Sequence, residues 1–310
     1  QMQLTGLPVD MDEVVKAREK LEDILKPCEY VFENNPIISA FETIIRKEFM
    51  ETKNSMLKVK QLTMEDDQVQ RIKFNPNSNP QLQSLLYDYM GLPVIDYTKT
   101  GAPATGGEAI KTLIAYVDPD NKDGIEILES LVTHKSVIKI LNSFIPALED
   151  AHKAEDGWHY LHGFFNLGGT VSGRLSSNSP NLQNIPSKGK LAEIIKQCFK
   201  APPGWLFIGL DYASLEDRIS ALTTKDRNKL KVYTDGYDGH CLRAYSYYSE
   251  LMPDIDPNSV ESINSIETKY PELRNSSKTP TFLLTYRGTY MGLAKKCNMT
   301  VDQAKEIEKR

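Results

Sequence analysis

The feature that most limits what this chain can fold into is a change of hydrophobic rhythm partway along it. Met11 to Lys26 carries Val14, Val15, Leu21, Ile24 and Leu25 at helical spacing with charges opposite, and Pro27 is expected to stop that helix. Leu82, Leu85, Leu86 and Tyr89 share a face over Asn79 to Tyr89, with Ser78 or Asn79 as N-cap and Pro80 as first helical residue. Ile125 to Leu148 resumes the helical period, with His134, Lys135 and Lys139 as outward cations. Between them, TKTGAPATGGEA (Thr98 to Ala109) reads as a mobile loop, and no GKS or GKT follows to make it a phosphate loop. From Trp158 onward, HYLHGFFNLGGTVSGRLSS alternates apolar residues with polar ones and Gly, as strands and turns do. WLFIGL (Trp205 to Leu210) predicts a buried strand ending on Asp211, and Leu215 to Leu222, Asp238 to Leu251 and Leu273 to Tyr286 predict helices. The pattern is that of an α+β chain, mainly helical with an antiparallel sheet.

The 310 residues carry a net charge of −5, so any contact with nucleic acid has to come from local basic patches. Cys28, Cys198, Cys241 and Cys297 are scattered singly, without a CxxC pair or a histidine at ligand spacing, as expected of a reduced, cytoplasmic chain. No apolar run approaches the ~20 residues that span a bilayer, and QMQLTGLPVD has neither a basic leader region nor a cleavage site. The expectation is a soluble, untargeted protein with no membrane partner, or one whose true N-terminus lies upstream.

Two segments concentrate chemistry. In LDYASLEDRIS (Leu210 to Ser220), a carboxylate at the mouth of a strand is placed to hold magnesium, which nucleotidyl transfer needs to neutralise a triphosphate. An isolated Asp there is more often a turn or N-cap residue, so the company it keeps decides. In RNSSKTPTFLLTY, spacings of four put Arg274, Lys278, Phe282 and Tyr286 along one helical stripe. Two cations followed by two aromatics suit a triphosphate at one end and a base at the other. Pro280 inside that helix is expected to kink or break it.

Together these segments resemble motifs of the family A DNA polymerases. Asp211-Tyr212-Ala213-Ser214-Leu215-Glu216 is similar to motif A, which implies Asp211 and the Tyr212 backbone carbonyl as ligands of two magnesium ions and Glu216 as the steric gate against ribonucleotides. The RxxxKxxxFxxxY stripe is similar to motif B, the O helix of the fingers. That implies Arg274 and Lys278 on the β and γ phosphates, with Asp211 and Lys278 catalytic, Phe282 beside the sugar and base, and Tyr286 near the templating position. Arg287 departs from the pattern by separating Tyr286 from Gly288. The block from Thr170 to Pro186 resembles TGRLSS…PNLQNIP, with Arg174, Asn181, Gln183 and Asn184 as contacts to primer and template. His240 in DGHCLRA resembles the fingers histidine that touches the triphosphate, and THKSVIKIL resembles a thumb segment gripping the duplex through Lys135 and Ser136.

The resemblance implies a right-hand polymerase fold: palm lead-in and helical thumb over 1–155, palm over 156–225 and incomplete fingers over 226–310. YRGTYMG and LEDRISALTTKD resemble bacteriophage replicative enzymes more than bacterial repair enzymes. The implied function is template-directed DNA synthesis with primer–template DNA and dNTPs as partners. The alternatives are a non-catalytic DNA-binding or replisome scaffold and a single-subunit RNA polymerase relative, against which Glu216 and PNLQNIP speak. The family's second metal carboxylate lies in an HDE motif, and no HDE occurs up to Arg310. The expectation is therefore a truncated or split polymerase, inactive alone, whose C-terminal partner fragment supplies the missing ligand.

Overall fold

In the computed structural model, which describes residues 2–57, 61–186, 189–297 and 299–309, a short α1 (Met2–Thr5) and β1 (Leu7–Val9) lead to Asp10. The Asp10 carboxylate accepts from the N–H groups of Asp12 and Glu13 and so starts α2 (Met11–Asn34). Pro27 does not stop this helix. An interior proline costs about 3 kcal/mol, but the stripe Leu21, Leu25, Cys28 and Phe32 is buried on both sides of it. Each large apolar side chain so buried contributes about 1.5–3 kcal/mol, and the stripe wins. Asn35 ends α2 and caps α3 (Pro36–Met56), its side chain accepting from the Ile37 N–H.

After α4 (Asp67–Gln70), Ser78 caps α5 (Asn79–Gln83) as expected, and the helix widens into a π turn over Ser84–Tyr89 that buries Leu85 and Leu86. Thr98 to Ala109 forms a turn closed by a Tyr97–Pro103 bridge, and its last residues enter α6 (Gly107–Leu113). The Tyr87 hydroxyl donates to the Ala104 carbonyl beneath it.

Asn121 caps α7 (Lys122–Glu149), the central helix of the first unit. His134 is not an outward cation here. It lies three residues from both Leu131 and Val137, on the buried stripe, and only 4% of it is exposed. Its ring meets the Phe32 ring edge-on at 5.4 Å. Burial, and secondarily the Lys135 charge, holds its pKa below the ordinary imidazole value. Lys135 is half-buried and its amine pKa is lowered for the same reason, whereas Lys139 is exposed as expected.

The strands beyond Trp158 form as read. β3 (His159–Leu161) pairs antiparallel with both β1 and β2 (His152–Lys153), and β4 (Phe164–Asn166) pairs antiparallel with β5 (Ser176–Asn178). α8 (Lys190–Gln197) packs Ile194 and Ile195 into a core shared with Leu21, Leu25 and Ile145. A second core gathers Phe41, Leu85, Ile110 and Leu128.

The chain divides into two compact units, Gln1–Ile208 and Gly209–Arg310. The second is all helical among its described residues: α9 (Leu215–Thr224), α10 (Arg227–Thr234), α11 (Gly239–Tyr248), α12 (Val260–Asn264), α13 (Ile266–Lys269), α14 (Pro271–Thr285), α15 (Tyr290–Cys297) and α16 (Val301–Lys309). Trp205 to Leu210 departs from expectation: it forms no strand, and Leu206, Ile208 and Leu210 are 86%, 80% and 94% exposed. A strand exists only as part of a ladder, and no described residue of this chain pairs with the run.

Candidate functional site

The candidate site lies within the second unit. Ser214 takes a left-handed conformation, φ +53°, which costs a residue other than glycine about 1–2 kcal/mol. That turn ends the exposed run and starts α9. Its geometry is held from the helix itself, because the Arg218 N–H donates to the Ser214 carbonyl at 3.0 Å and the Arg218 side chain donates Nε–H to the Ala213 carbonyl at 2.9 Å. As a result Asp211, Tyr212, Glu216 and Asp217 line one cavity of about 330 Å³.

The opposite wall comes from α11 and α14. Asp238 caps α11, accepting from the N–H groups of His240 and Cys241 at 2.8 Å, which places His240 in the first turn and Arg243 on the same face one turn later. Both line the cavity, as does Phe282 of α14, whose ring lies 6.4 Å from the His240 ring. Burial lowers the His240 pKa; Asp238 opposes this, and Arg274 and Lys278 reinforce it. The imidazole is therefore biased towards its neutral form, in which one ring nitrogen can still donate.

Helix α14 runs unbroken through Pro280, which is buried. The stripe of four does not act as one unit, however. Tyr286, just past the end of α14, donates its hydroxyl to Glu216 Oε2 at 2.5 Å and so ties this stripe to the motif A helix. Lys278 donates to the Asn275 side chain at 2.9 Å. Arg274 is turned to Asp238, Nη2 to Oδ2 at 2.7 Å, and lines a neighbouring cavity of about 410 Å³. Burial works to raise the Asp238 pKa, but Arg274 outweighs it and holds the carboxyl below its usual range. The structure thus gathers Asp211, Tyr212, Glu216, His240 and Phe282 in one cavity, with Tyr286 bonded to its wall, and leaves Arg274 and Lys278 off that wall.

Sequence reading missed Arg243, Asp217, Tyr233 and Asp238. The i,i+3 spacing from His240 flags Arg243, and an Asp two residues ahead of His240 flags the cap. The other two become visible only once α9 and α10 are packed.

In the first unit, the Thr170 hydroxyl donates to the Arg174 carbonyl at 2.7 Å and Asn181 Oδ1 accepts from the Gln183 N–H at 3.1 Å. These bonds present Arg174, Gln183 and Asn184 to solvent beside β5. Ser136 spends its hydroxyl on the Val132 carbonyl at 2.8 Å, within α7.

The family model for DNA polymerase family A matches residues 46–310. The chain belongs to this family. It is similar to the thermostable DNA polymerase I of Thermus aquaticus, 35% identical over 185 residues that are 59% of this chain and 21% of that protein. It is also similar to DNA polymerase I of Caldicellulosiruptor bescii, 27% identical over 293 residues, 91% of this chain and 32% of the other. The chain thus spans a third or less of these two family A relatives. Among solved structures, the POL domain of Pol1 from M. smegmatis in complex with DNA primer–template and dNTP aligns with a TM-score of 0.69 at 23% identity, covering 98% of this chain and 43% of that one. The mainly helical α+β architecture with small antiparallel sheets is accordingly a family A polymerase-domain fold.

Two residues that the resemblance implies as magnesium ligands, Asp211 and Tyr212, both line the cavity. The Asp211 carboxylate lies on the cavity wall, exposed, and Tyr212 beside it brings a backbone carbonyl. Among the described residues no group of three His, Cys, Asp or Glu converges on a metal position. Of the other two carboxylates on this wall, Glu216 accepts from the Tyr286 hydroxyl and Asp217 is engaged by Lys229 and Tyr233.

Proposed function

We propose that this chain is the nucleotide-binding part of a template-directed DNA polymerase, with thumb, palm and fingers divided as the family resemblance implies. The observation that carries the reading is the single cavity in which Asp211, Glu216, His240 and Phe282 meet, with the gate carboxylate held by Tyr286. A carboxylate, an imidazole and an aromatic face around about 330 Å³ suit the charged, polar and flat parts of a dNTP.

In this reading Asp211 and the Tyr212 carbonyl hold magnesium, which when bound neutralises the triphosphate and stabilises the attacking and leaving oxygens. Glu216, kept in place by Tyr286, excludes a 2′-hydroxyl. Phe282 packs on the base and His240 donates to the phosphates. Lys278 and Arg274 neutralise the leaving pyrophosphate, and for this Arg274 exchanges Asp238 for phosphate oxygen, the planar guanidinium serving either partner. Arg174, Asn181, Gln183 and Asn184 contact primer and template, and Lys135 the duplex backbone, with Ser136 joining it by exchanging its Val132 carbonyl for a phosphate oxygen.

A further polymerase segment, carrying the second metal carboxylate, completes the site by adding a strand beside Trp205 to Leu210. The exposure of those side chains supports this, since an apolar run without a ladder is what an added strand would cover. Primer extension by this chain alone, with magnesium and dNTPs, is expected to be absent; robust extension would remove the need for the second segment. Lys278→Ala should weaken dNTP binding by about tenfold, the worth of one charge-assisted hydrogen bond. A scaffold without the chemistry would be indifferent to Lys278.

A further inference from the structure

The first turn of α9 carries two neighbouring carboxylates that are gripped from different directions. Glu216 is held by Tyr286, and Asp217 is held by α10. Both Asp217 oxygens are used: Oδ1 accepts from Lys229 Nζ at 2.8 Å and Oδ2 from the Tyr233 hydroxyl at 2.5 Å. Lys229 also donates to Ser220 Oγ at 3.0 Å, one turn further along α9. The Arg218 guanidinium lies 4.5 Å from the centre of the Tyr233 ring, so α10 is clasped from α9 at three positions.

We propose that Asp217, Lys229 and Tyr233 form a positioning cluster that fixes Glu216 in the nucleotide cavity and thereby sets how strongly the site prefers deoxyribonucleotides. The proposal rests on the reading of Glu216 as the sugar-contacting residue.

Consecutive residues on an α-helix diverge by about 100°. One tether at Glu216 would leave the first turn free to rotate about its axis, whereas a second at Asp217 fixes both rotation and height. That turn also follows the left-handed Ser214, a conformation that persists only where its surroundings over-determine it. The cluster supplies the surroundings. Its ion pair is partly buried, with side-chain exposures of 19% for Lys229 and 35% for Asp217, a setting in which desolvation offsets much of the attraction. Such a pair is better suited to fixing geometry than to adding stability. Burial works to raise the Asp217 pKa, but Lys229 and Tyr233 outweigh it, so the carboxylate stays charged at neutral pH. The Tyr233 phenol is pushed well above its ordinary value, by burial first and by Asp217 next, and remains a donor.

Selectivity for a sugar hydroxyl depends on sub-ångström placement of the group that meets it, which is why a residue outside the contact can control it. The test is titration of dATP and ATP, each with magnesium, against the full chain and four variants. Tyr233→Phe removes one hydrogen bond and keeps the ring under Arg218; it should lower the dATP-to-ATP preference by about threefold, and Asp217→Ala by about tenfold. Asp217→Asn keeps one acceptor oxygen and turns the other into an amide that can only donate, to the Tyr233 hydroxyl oxygen, and should recover part of the preference. Glu216→Ala is the reference arm. If Glu216→Ala loses the preference while Asp217→Ala and Tyr233→Phe keep it, the positioning role is overturned and the gate stands. If Glu216→Ala itself keeps the preference, the gate reading fails and the proposal falls with it. Should Asp217→Ala unfold the second unit, Tyr233→Phe decides alone, because a merely structural hydrogen bond would lower the melting temperature without moving the ratio.

Discussion

The two compact units are held together by different means. In the first, long helices meet along continuous apolar stripes: α2 and α7 share Leu21, Leu25, Val137 and Ile145, and Phe41 and Leu131 are completely buried in the neighbouring core. In the second, the apolar clusters are smaller, Cys241, Ala244, Met252, Ile255, Ile263 and Ile266 in one and Tyr247, Leu293, Ala304 and Ile307 in another. Polar clamps link its helices instead: Arg274 to Asp238, Lys229 and Tyr233 to Asp217, and Tyr286 to Glu216. A stripe of packed side chains tolerates little movement, whereas a hydrogen-bonded clamp can exchange its partner for a ligand. The unit that carries the candidate cavity is the one whose helices are joined by such clamps.

The largest effect should come from breaking the apolar side of this comparison. Phe41→Ala, at a position with no exposure, should destabilise the first unit by about 3–5 kcal/mol, read from the urea midpoint of its transition. Equal movement of both units' transitions would show that the cores are not independent. Next comes Arg274→Ala, which strands a half-buried Asp238 and should cost the second unit about 2–3 kcal/mol. The folded Asp238 pKa is depressed, so its stabilisation is present above the ordinary carboxylate range of about 3.9 and is lost as pH falls below it. Arg274→Ala should flatten that acid limb, and an unchanged limb would mean that Asp238 is held by its helix cap alone. The smallest effect is expected at His134. Its folded pKa lies below the free value of about 6.5, so stability is full above that pH and declines as pH falls through it towards the folded value. His134→Leu should remove this decline in thermal melts recorded as the pH is lowered from about 6.5, and persistence of the decline would assign it to other groups.

Much of the first unit was legible because its information is local and periodic. Helix α7 and the Ser78 cap follow from spacing and chemistry a few residues apart. Pro27 misled because a local rule, the missing N–H, was outweighed by burial that only the packed helix pair reveals. His134 misled in the opposite way: its position in the helical period pointed inward, and its polarity suggested otherwise. Trp205 to Leu210 reads as a strand in composition, but a strand is a property of two segments. In the second unit, the residues around the cavity were legible as chemical types. Their pairings were not, since Arg274 meets an aspartate 36 residues away and Glu216 a tyrosine 70 residues away.

The uncovered run from Trp205 to Leu210 also has a history in time. During synthesis it emerges ahead of α9, with five large apolar side chains facing water and backbone groups open to any extended chain nearby. Such a stretch is as able to recruit a second copy of itself as a rightful neighbour. The order in which segments become available, and their concentration, therefore bear on whether this chain matures or clumps.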